Sequence, residues 1–329
     1  MSDSAILATG LEEAKNTIDR FVTLLEQHQI KIKSGSQLQH GDEVIRKMSD
    51  TWKTLNDGGA MPDWPAFVED VRVGMGTLSM MQLVLKRAAH ADFPALLPHL
   101  RLMGDGDLAP TTKARVTDQN SNKLFELRLA LACMEHGTGL QMDDPIRSSD
   151  GSNPDVLCTM PDRQKWGFAC KVPHSNNPTT LFERFAEGVE QIERSSADVG
   201  FVVLSLKNLI PHEELIPRLD RRADGTPLYG AHPTKEQPLR LLKRAIIARV
   251  EGMKREVSEE TVADHLRGKK AMPAVLVAVD EVVLLKEPGV APWTLTYIHA
   301  QALQWGVAKR FDYFAQRIVK HINDGLVAL

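Results

Sequence analysis

The sequence predicts an α/β fold with a mixed central sheet flanked by helices, preceded by an all-α N-terminal domain. Three observations carry that expectation. Apolar residues recur at helical spacing through residues 1 to about 102. Beyond residue 120, helical stretches alternate with strand-like runs at 153–160, 166–172 and 200–206. The chain, at 329 residues with 43% hydrophobic and 25% charged, is also large enough for two domains. They are expected at 1–112 and 113–329.

In the first of these, Ile18, Phe21, Val22 and Leu25 make one helical stripe, and Val44, Ile45, Met48, Trp52 and Leu55 a second. Thr77 to Ala91 makes a third. His28, His40, His90 and His99 lack ligand spacing, and Met75, Met80 and Met81 suit core filling better than a cofactor site. Gly74-Met75-Gly76 is too short for a phosphate loop. This part is therefore expected to recognise substrate or a partner, or to mediate self-assembly. In Met103 to Thr112, Gly, Asp and Pro break the periodicity, which reads as a linker.

Asn122 to His136 lacks Gly and Pro and reads as helix. Arg128 and Glu135 fall on one side of it and Glu126 on the other, flanked by Leu127 and Leu129, so Glu126 is expected to point inward. Ala130 and Cys133 share its face and would leave room for an approaching group. A buried carboxylate needs a core Arg or Lys, a hydrogen-bond network or a metal. Next, Asn153 to Met160 places Asp155 on a face with Leu157 and Thr159. In Trp166 to Val172, alternation puts Trp166, Phe168, Cys170 and Val172 on one face and Gly167, Ala169 and Lys171 on the other. From Leu181 to Ser195, Phe182, Phe185, Val189 and Ile192 form an apolar stripe beside a row of Arg184, Gly188, Gln191 and Ser195. Gly200 to Leu206 is a continuous apolar run suited to a buried strand.

Pro154-Asp155, Ala169-Cys170-Lys171 and the helical acid Glu126 together resemble the PD-(D/E)xK nuclease superfamily, over residues 120 to 206. The resemblance implies a restriction-endonuclease-like fold and metal-dependent endonucleolytic cleavage of DNA, with RNA the other nucleic acid to consider, in restriction or phage defence. It implies Mg²⁺, for which Mn²⁺ substitutes, held by Asp155, the Cys170 backbone carbonyl and Glu126. Lys171 would position water or neutralise developing charge, and Gln191 would orient the water or the phosphate. Where the pattern carries Asp or Glu, this chain has Ala169. A methyl group there should sharply weaken metal binding, so the chain is either a degenerate nuclease or one inactivated by a Glu→Ala substitution. The joint presence of Glu126, Asp155 and Lys171 favours the second, and Glu183 or Glu187 is a third source of the carboxylate. The alternative from a different class is a nucleic-acid-binding or partner-binding subunit that keeps the fold without the chemistry. A partner protein of a defence system, or a second copy of the chain, would accompany either.

Pro211 to Pro238 reads as a long loop in which Arg218, Arg221 and Arg222 could meet nucleic acid. On the following helix Leu239, Leu242, Ile246, Val250 and Met253 form the buried stripe, and Arg240, Lys243, Arg244, Lys254 and Arg255 an arc suited to tracking phosphates or to plain solvation. Strands are expected in Met272 to Leu285 and Trp293 to Gln301, and a final helix packs through Phe311, Phe314, Ile318 and Ile322. The formal net charge of −3 excludes a generally basic binder. No apolar run reaches the roughly 18 residues of a membrane span, and the acidic start does not suit a signal peptide, so a cytoplasmic protein is expected. Cys133, Cys158 and Cys170 are not spaced for zinc and read as reduced core thiols.

Overall fold

The computed structural model describes residues 3–60, 63–105, 119–145, 153–210, 215, 220–221, 223, 227–228, 236–285, 293–304 and 314–327. Helices α1 (Asp3–Gln27), α2 (Gln37–Asn56), α3 (Trp64–Arg87) and α4 (Leu97–Asp105) come first, with a 3-10 turn at Phe93–Leu96. They lead into α5 (Gln119–Cys133), β1 (Thr138–Met142), β2 (Val156–Thr159), β3 (Lys165–Lys171), α6 (Pro178–Arg194) and β4 (Val199–Ser205). After a short pair, β5 (Asp220–Arg221) and β6 (Pro227–Leu228), come α7 (Glu236–Glu256), α8 (Glu259–Leu266), β7 (Ala271–Leu285), β8 (Trp293–Gln304) and α9 (Phe314–Val327). The fold is mixed α/β, with helices on both faces of one sheet and an N-terminal run of helices.

The sheet has six strands in the order β1-β2-β3-β4-β7-β8. β1-β2 and β2-β3 are antiparallel, β3-β4 and β4-β7 are parallel, and β7-β8 is antiparallel. Alternation along the strands feeds two cores. Trp166, Phe168, Phe201, Val203 and Leu276 enter the one shared with α5, α9 and the N-terminal helices. Ala169, Val202, Leu204, Val275 and Val277 enter the other, with Phe185, Val189 and Ile192 of α6 and Leu242, Ile246, Val250 and Met253 of α7. Ile318 and Ile322 of α9 are buried as their spacing suggests, while Phe311 lies outside the described residues.

Three details differ from the expectations. The helix carrying Glu126 ends at Cys133, and a turn through Glu135 leads to Gly137, where a Cβ would meet the Cys133 carbonyl oxygen at 2.9 Å. That helix is also buried on every side, with Arg128 as buried as Glu126. Arg128 donates to the Gly76 carbonyl of α3 at 3.4 Å, and Arg87 of α3 pairs with Glu135. The supposed outward face is covered because α5 lies between the sheet and the N-terminal helices, so amphipathic one-sidedness does not apply. Ala130 and Cys133 accordingly fill core and leave no opening.

The third difference is the linker. Met103 to Asp105 is the end of α4, with Met103 buried, and 106–112 lies outside the described residues. Gly104 is there for close approach: a Cβ would come within 2.8 Å of the Lys31 carbonyl oxygen, and Lys33 N–H donates to the Gly104 carbonyl at 3.0 Å. The same core that holds α1 to α4 continues into the sheet, and the expected boundary at 112 falls in the undescribed stretch. Among the described residues no helix is long and apolar enough to cross a membrane.

Candidate functional site: a carboxylate pocket at the end of the central strands

Register brings the candidate residues together. Met142 pairs with Val156, and Val156 with Phe168, so one further step aligns Asp143, Asp155 and Ala169 across three adjacent strands. The Asp143 N–H donates to the Asp155 carbonyl at 3.2 Å, which holds that step in place. Ala169 is fully buried and pairs with Val202 on the far side. Pro154 starts the row: it is buried against Gly167, where a Cβ would stand 3.1 Å from its ring. The absence of a side chain at 167 is what lets the Pro-Asp segment close onto β3.

Lys171 leaves β3 on the Ala169 side and meets α6. Its Nζ donates to Gln191 Oε1 at 2.8 Å, and Gln191 Nε2 donates to the Asn153 carbonyl at 2.6 Å. The ammonium needs an acceptor and the carbonyl needs a donor, so the amide can face only one way. Gln191 is only 7% exposed, and the row it shares with Gly188 and Ser195 is buried too, leaving Arg184 outside in a pair with Glu187. The lysine is thus locked to the backbone just before Pro154-Asp155.

Asp155 is buried, and its Oδ2 accepts the Cys170 N–H at 2.6 Å. Burial, and next the charge of Glu126, push its carboxyl up to about 7, against the pull of Lys171, Lys123 and the Cys170 N–H. Glu126 is buried at 3% exposure. Lys123 donates to both its oxygens, at 2.8 and 2.9 Å, and His99 Nε2 lies 3.3 Å from Oε2. Burial raises the Glu126 carboxyl to about 7, with Lys123 the chief opposing influence and Lys171 a smaller one. Glu126, Asp155 and Lys171 therefore share one electrostatic field. Burial and the nearby Lys123 charge lower His99 to about 4, so at neutral pH the ring is uncharged. Nε2 shares its hydrogen bond with the Glu126 carboxyl, and Nδ1 is left buried with no hydrogen-bond partner among the described residues.

Sequence periodicity missed His99, Lys123 and Asp143. Lys123 was legible, since it stands three residues before Glu126 on the same helix face. Asp143 closes a strand opposite the Pro-Asp segment, which only the β1-β2 register reveals. His99 carries no local signal. His99, whose position in the sequence shows no ligand spacing, is brought by α4 to Glu126.

The proposed metal ligands do not fit an ion as they stand. Lys123 engages both Glu126 oxygens, and Asp155 Oδ2 takes the Cys170 N–H. Among the described residues no three His, Cys, Asp or Glu side chains come together closely enough to hold an ion. Glu183 and Glu187 do line, with Lys171, Gln191 and His265, a cleft of about 630 Å³ along α6. Both are exposed, and Glu187 is paired with Arg184. No cysteine is in a disulfide; burial pushes the Cys170 thiol well above its usual range, and a hydrogen bond with Cys158, then burial, does the same for Cys133. Cys133 and Cys158 are buried in the core, and Cys170 is half-buried beside it.

Of the basic arc on α7, Arg240, Lys243, Arg244 and Arg255 are exposed, and Lys254 is half-buried and paired with Glu251 at 3.2 Å. Ile247, 45% exposed, lies among them. The buried stripe opposite is Leu242, Ile246, Val250 and Met253. Arg218 and Arg222 lie outside the described residues, as does the side chain of Arg221. Compared with protein-family models, with curated proteins and with solved structures, the chain has no significant match, so what the pocket does is inferred from its geometry.

Proposed function

We propose that the chain is a nuclease of the PD-(D/E)xK type with a restriction-endonuclease-like core, acting on DNA phosphodiesters, whose hydrolysis is switched off by alanine at position 169. The observation that carries this is the row Asp143-Asp155-Ala169, with Lys171 emerging two residues beyond Ala169 and clamped by Gln191. A glutamate at 169 would stand beside Asp155 on the adjacent strand, on the side where Lys171 leaves β3. Two carboxylates and an ammonium so placed are what phosphoryl chemistry asks for: acids to gather positive charge and a compact cation to face the phosphate. In the chain as it is, Lys171 and Gln191 retain the phosphate-facing role, and no hydrolytic step follows.

The exposed cations on α7 supply the second support. Phosphate contacts give affinity that falls with salt, by roughly one unit of log K per log salt for each phosphate neutralised on duplex DNA. Replacing Arg240, Lys243 and Arg244 together by alanine is expected to weaken DNA binding and to flatten its salt dependence by about 2 to 3 of those units. An unchanged slope removes α7 from the interface.

The deciding experiment compares the chain with its Ala169→Glu variant on duplex and single-stranded DNA and on RNA, with Mn²⁺ and with Mg²⁺. Cleavage by the variant alone is the expected result. Binding without cleavage by both would favour the reading as a non-catalytic nucleic-acid-binding subunit, and neither binding nor cleavage at low salt would end both.

A further inference from the structure

Where α5 packs on β2, three buried side chains end in sulfur and touch one another in turn. Cys133 closes α5, Cys158 lies in β2, and Met160 follows that strand directly. None of the three is more than 2% exposed. The Cys133 thiol hydrogen-bonds with that of Cys158, and the Cys158 thiol donates to the Met160 thioether at 3.5 Å. Gly137, in the turn from α5 to β1, lies against the same group: a Cβ there would stand 3.2 Å from Met160 Sδ, 3.4 Å from Cys158 Sγ and 2.9 Å from the Cys133 carbonyl oxygen. Its neighbours His136, Thr138 and Gly139 are exposed, so the turn that meets the sulfurs on one side meets water on the other.

We propose that Cys133, Cys158 and Met160 form a site for a soft monovalent ion, Cu(I), held by two thiolates and one thioether beneath the turn at Gly137. Two sulfurs bound to one ion at about 2.3 Å each stand about 4 Å apart. The 3.5 Å between Cys158 and Met160 therefore has to open only slightly. The donor set selects the ion. Among the described residues no carboxylate or imidazole completes a group of three with the two thiols, so the third ligand has to be the thioether. Mg²⁺ asks for oxygen, and Zn²⁺ in a closed site for four ligands, whereas thiolate and thioether sulfur suit Cu(I). Uptake involves no electron transfer: each thiol S–H bond is replaced by a sulfur–copper bond, its proton passes to solvent, Met160 supplies a lone pair, and copper stays in the +1 state. Glu126 stands about two helical turns before Cys133. An ion here would tie the end of the Glu126 helix to β2 without touching the Glu126 carboxyl, and the inference does not rest on the nuclease reading.

Cu(I) is titrated without oxygen into the reduced full chain against a chromophoric Cu(I) chelator, and the complex is examined by X-ray absorption at the copper edge. One ion per chain, surrounded by three sulfurs, is the expected result. Cys133→Ala and Cys158→Ala are each expected to weaken binding at least about a hundredfold, and Met160→Leu about tenfold. Cys170→Ala should bind as the unaltered chain does, because that thiol is not one of the three. The proposal is overturned if the unaltered chain does not compete with the chelator for Cu(I), if copper is surrounded by nitrogen or oxygen in place of sulfur, if Met160→Leu binds as tightly as the unaltered chain, or if Cys170→Ala loses the ion. Should either cysteine variant fail to fold, the sulfur count on the unaltered chain and the affinity of Met160→Leu decide.

Discussion

Asparagine in place of Asp155 is expected to stabilise the fold most at pH 8, less at pH 5, and hardly at all near pH 3. The Asp155 carboxyl is pushed from 3.8 to about 7 by burial and by Glu126, so the folded protein keeps a proton there that the unfolded chain has already lost. Between pH 4 and 7 the unfolded state binds fewer protons, and stability therefore falls as pH rises through that window. The gap corresponds to roughly 4 kcal/mol at full ionisation. The side chain is 7% exposed, which leaves little solvent screening to reduce that figure. Asparagine imitates the protonated acid and can still accept the Cys170 N–H, so the variant should escape most of the loss. Glu126→Gln should behave likewise, but because each carboxylate raises the other, the double variant should gain less than the sum. His99 works in the opposite sense: its folded-state value near 4 means the unfolded chain protonates first as pH drops below about 6.5, and stability is lost there. Denaturant unfolding of both proteins at several pH values isolates the carboxylate, since His99 is common to both. If the unaltered chain proves as stable as Asp155→Asn at pH 8, the buried pair carries no such burden, and the pocket is not the low-dielectric site described above.

A single methyl group at position 200 is expected to cost about 3 kcal/mol or more, at the upper end of overpacking penalties. β3 and β4 run parallel with Gly167 opposite Gly200, and a Cβ on Gly200 would come within 2.4 Å of the Gly167 carbonyl oxygen and 2.9 Å of Ile192 Cγ2. The carbonyl belongs to the strand backbone and cannot turn away, so the strands must separate or α6 must lift. Either movement pulls Gln191 from Lys171. Gly200→Ala should therefore lower the denaturation midpoint and, in the Ala169→Glu background, cut any cleavage out of proportion to the fraction unfolded. Gly252→Ala is the control, because nothing lies within 4 Å of its would-be Cβ near the C-terminal end of α7. There alanine should be neutral or stabilising by up to about 1 kcal/mol through helix propensity. Equal behaviour of the two variants would mean that β3 and β4 are not held at this separation.

What the chain's order of residues determined by itself is local. Period two in Trp166 to Lys171 set which side chains enter each core and sent Lys171 out beside Ala169, because successive strand residues must alternate. Period 3.6 did the same for the α6 stripe and placed Gln191 next to it, one turn beyond Gly188. Glu126 turned inward for the same reason, though the other side of its helix proved equally buried. Tertiary structure alone decided the partners. Asp143 joins the row through β1-β2 register, His99 arrives from a helix whose periodicity says nothing of α5, and Lys123 turns toward Glu126 instead of water because both lie under the packed N-terminal helices. Periodicity specifies a face, which depends only on backbone geometry over a few residues. The identity of what meets that face depends on contacts between segments far apart in the chain, and these are chosen by the burial and charge balance of the whole fold.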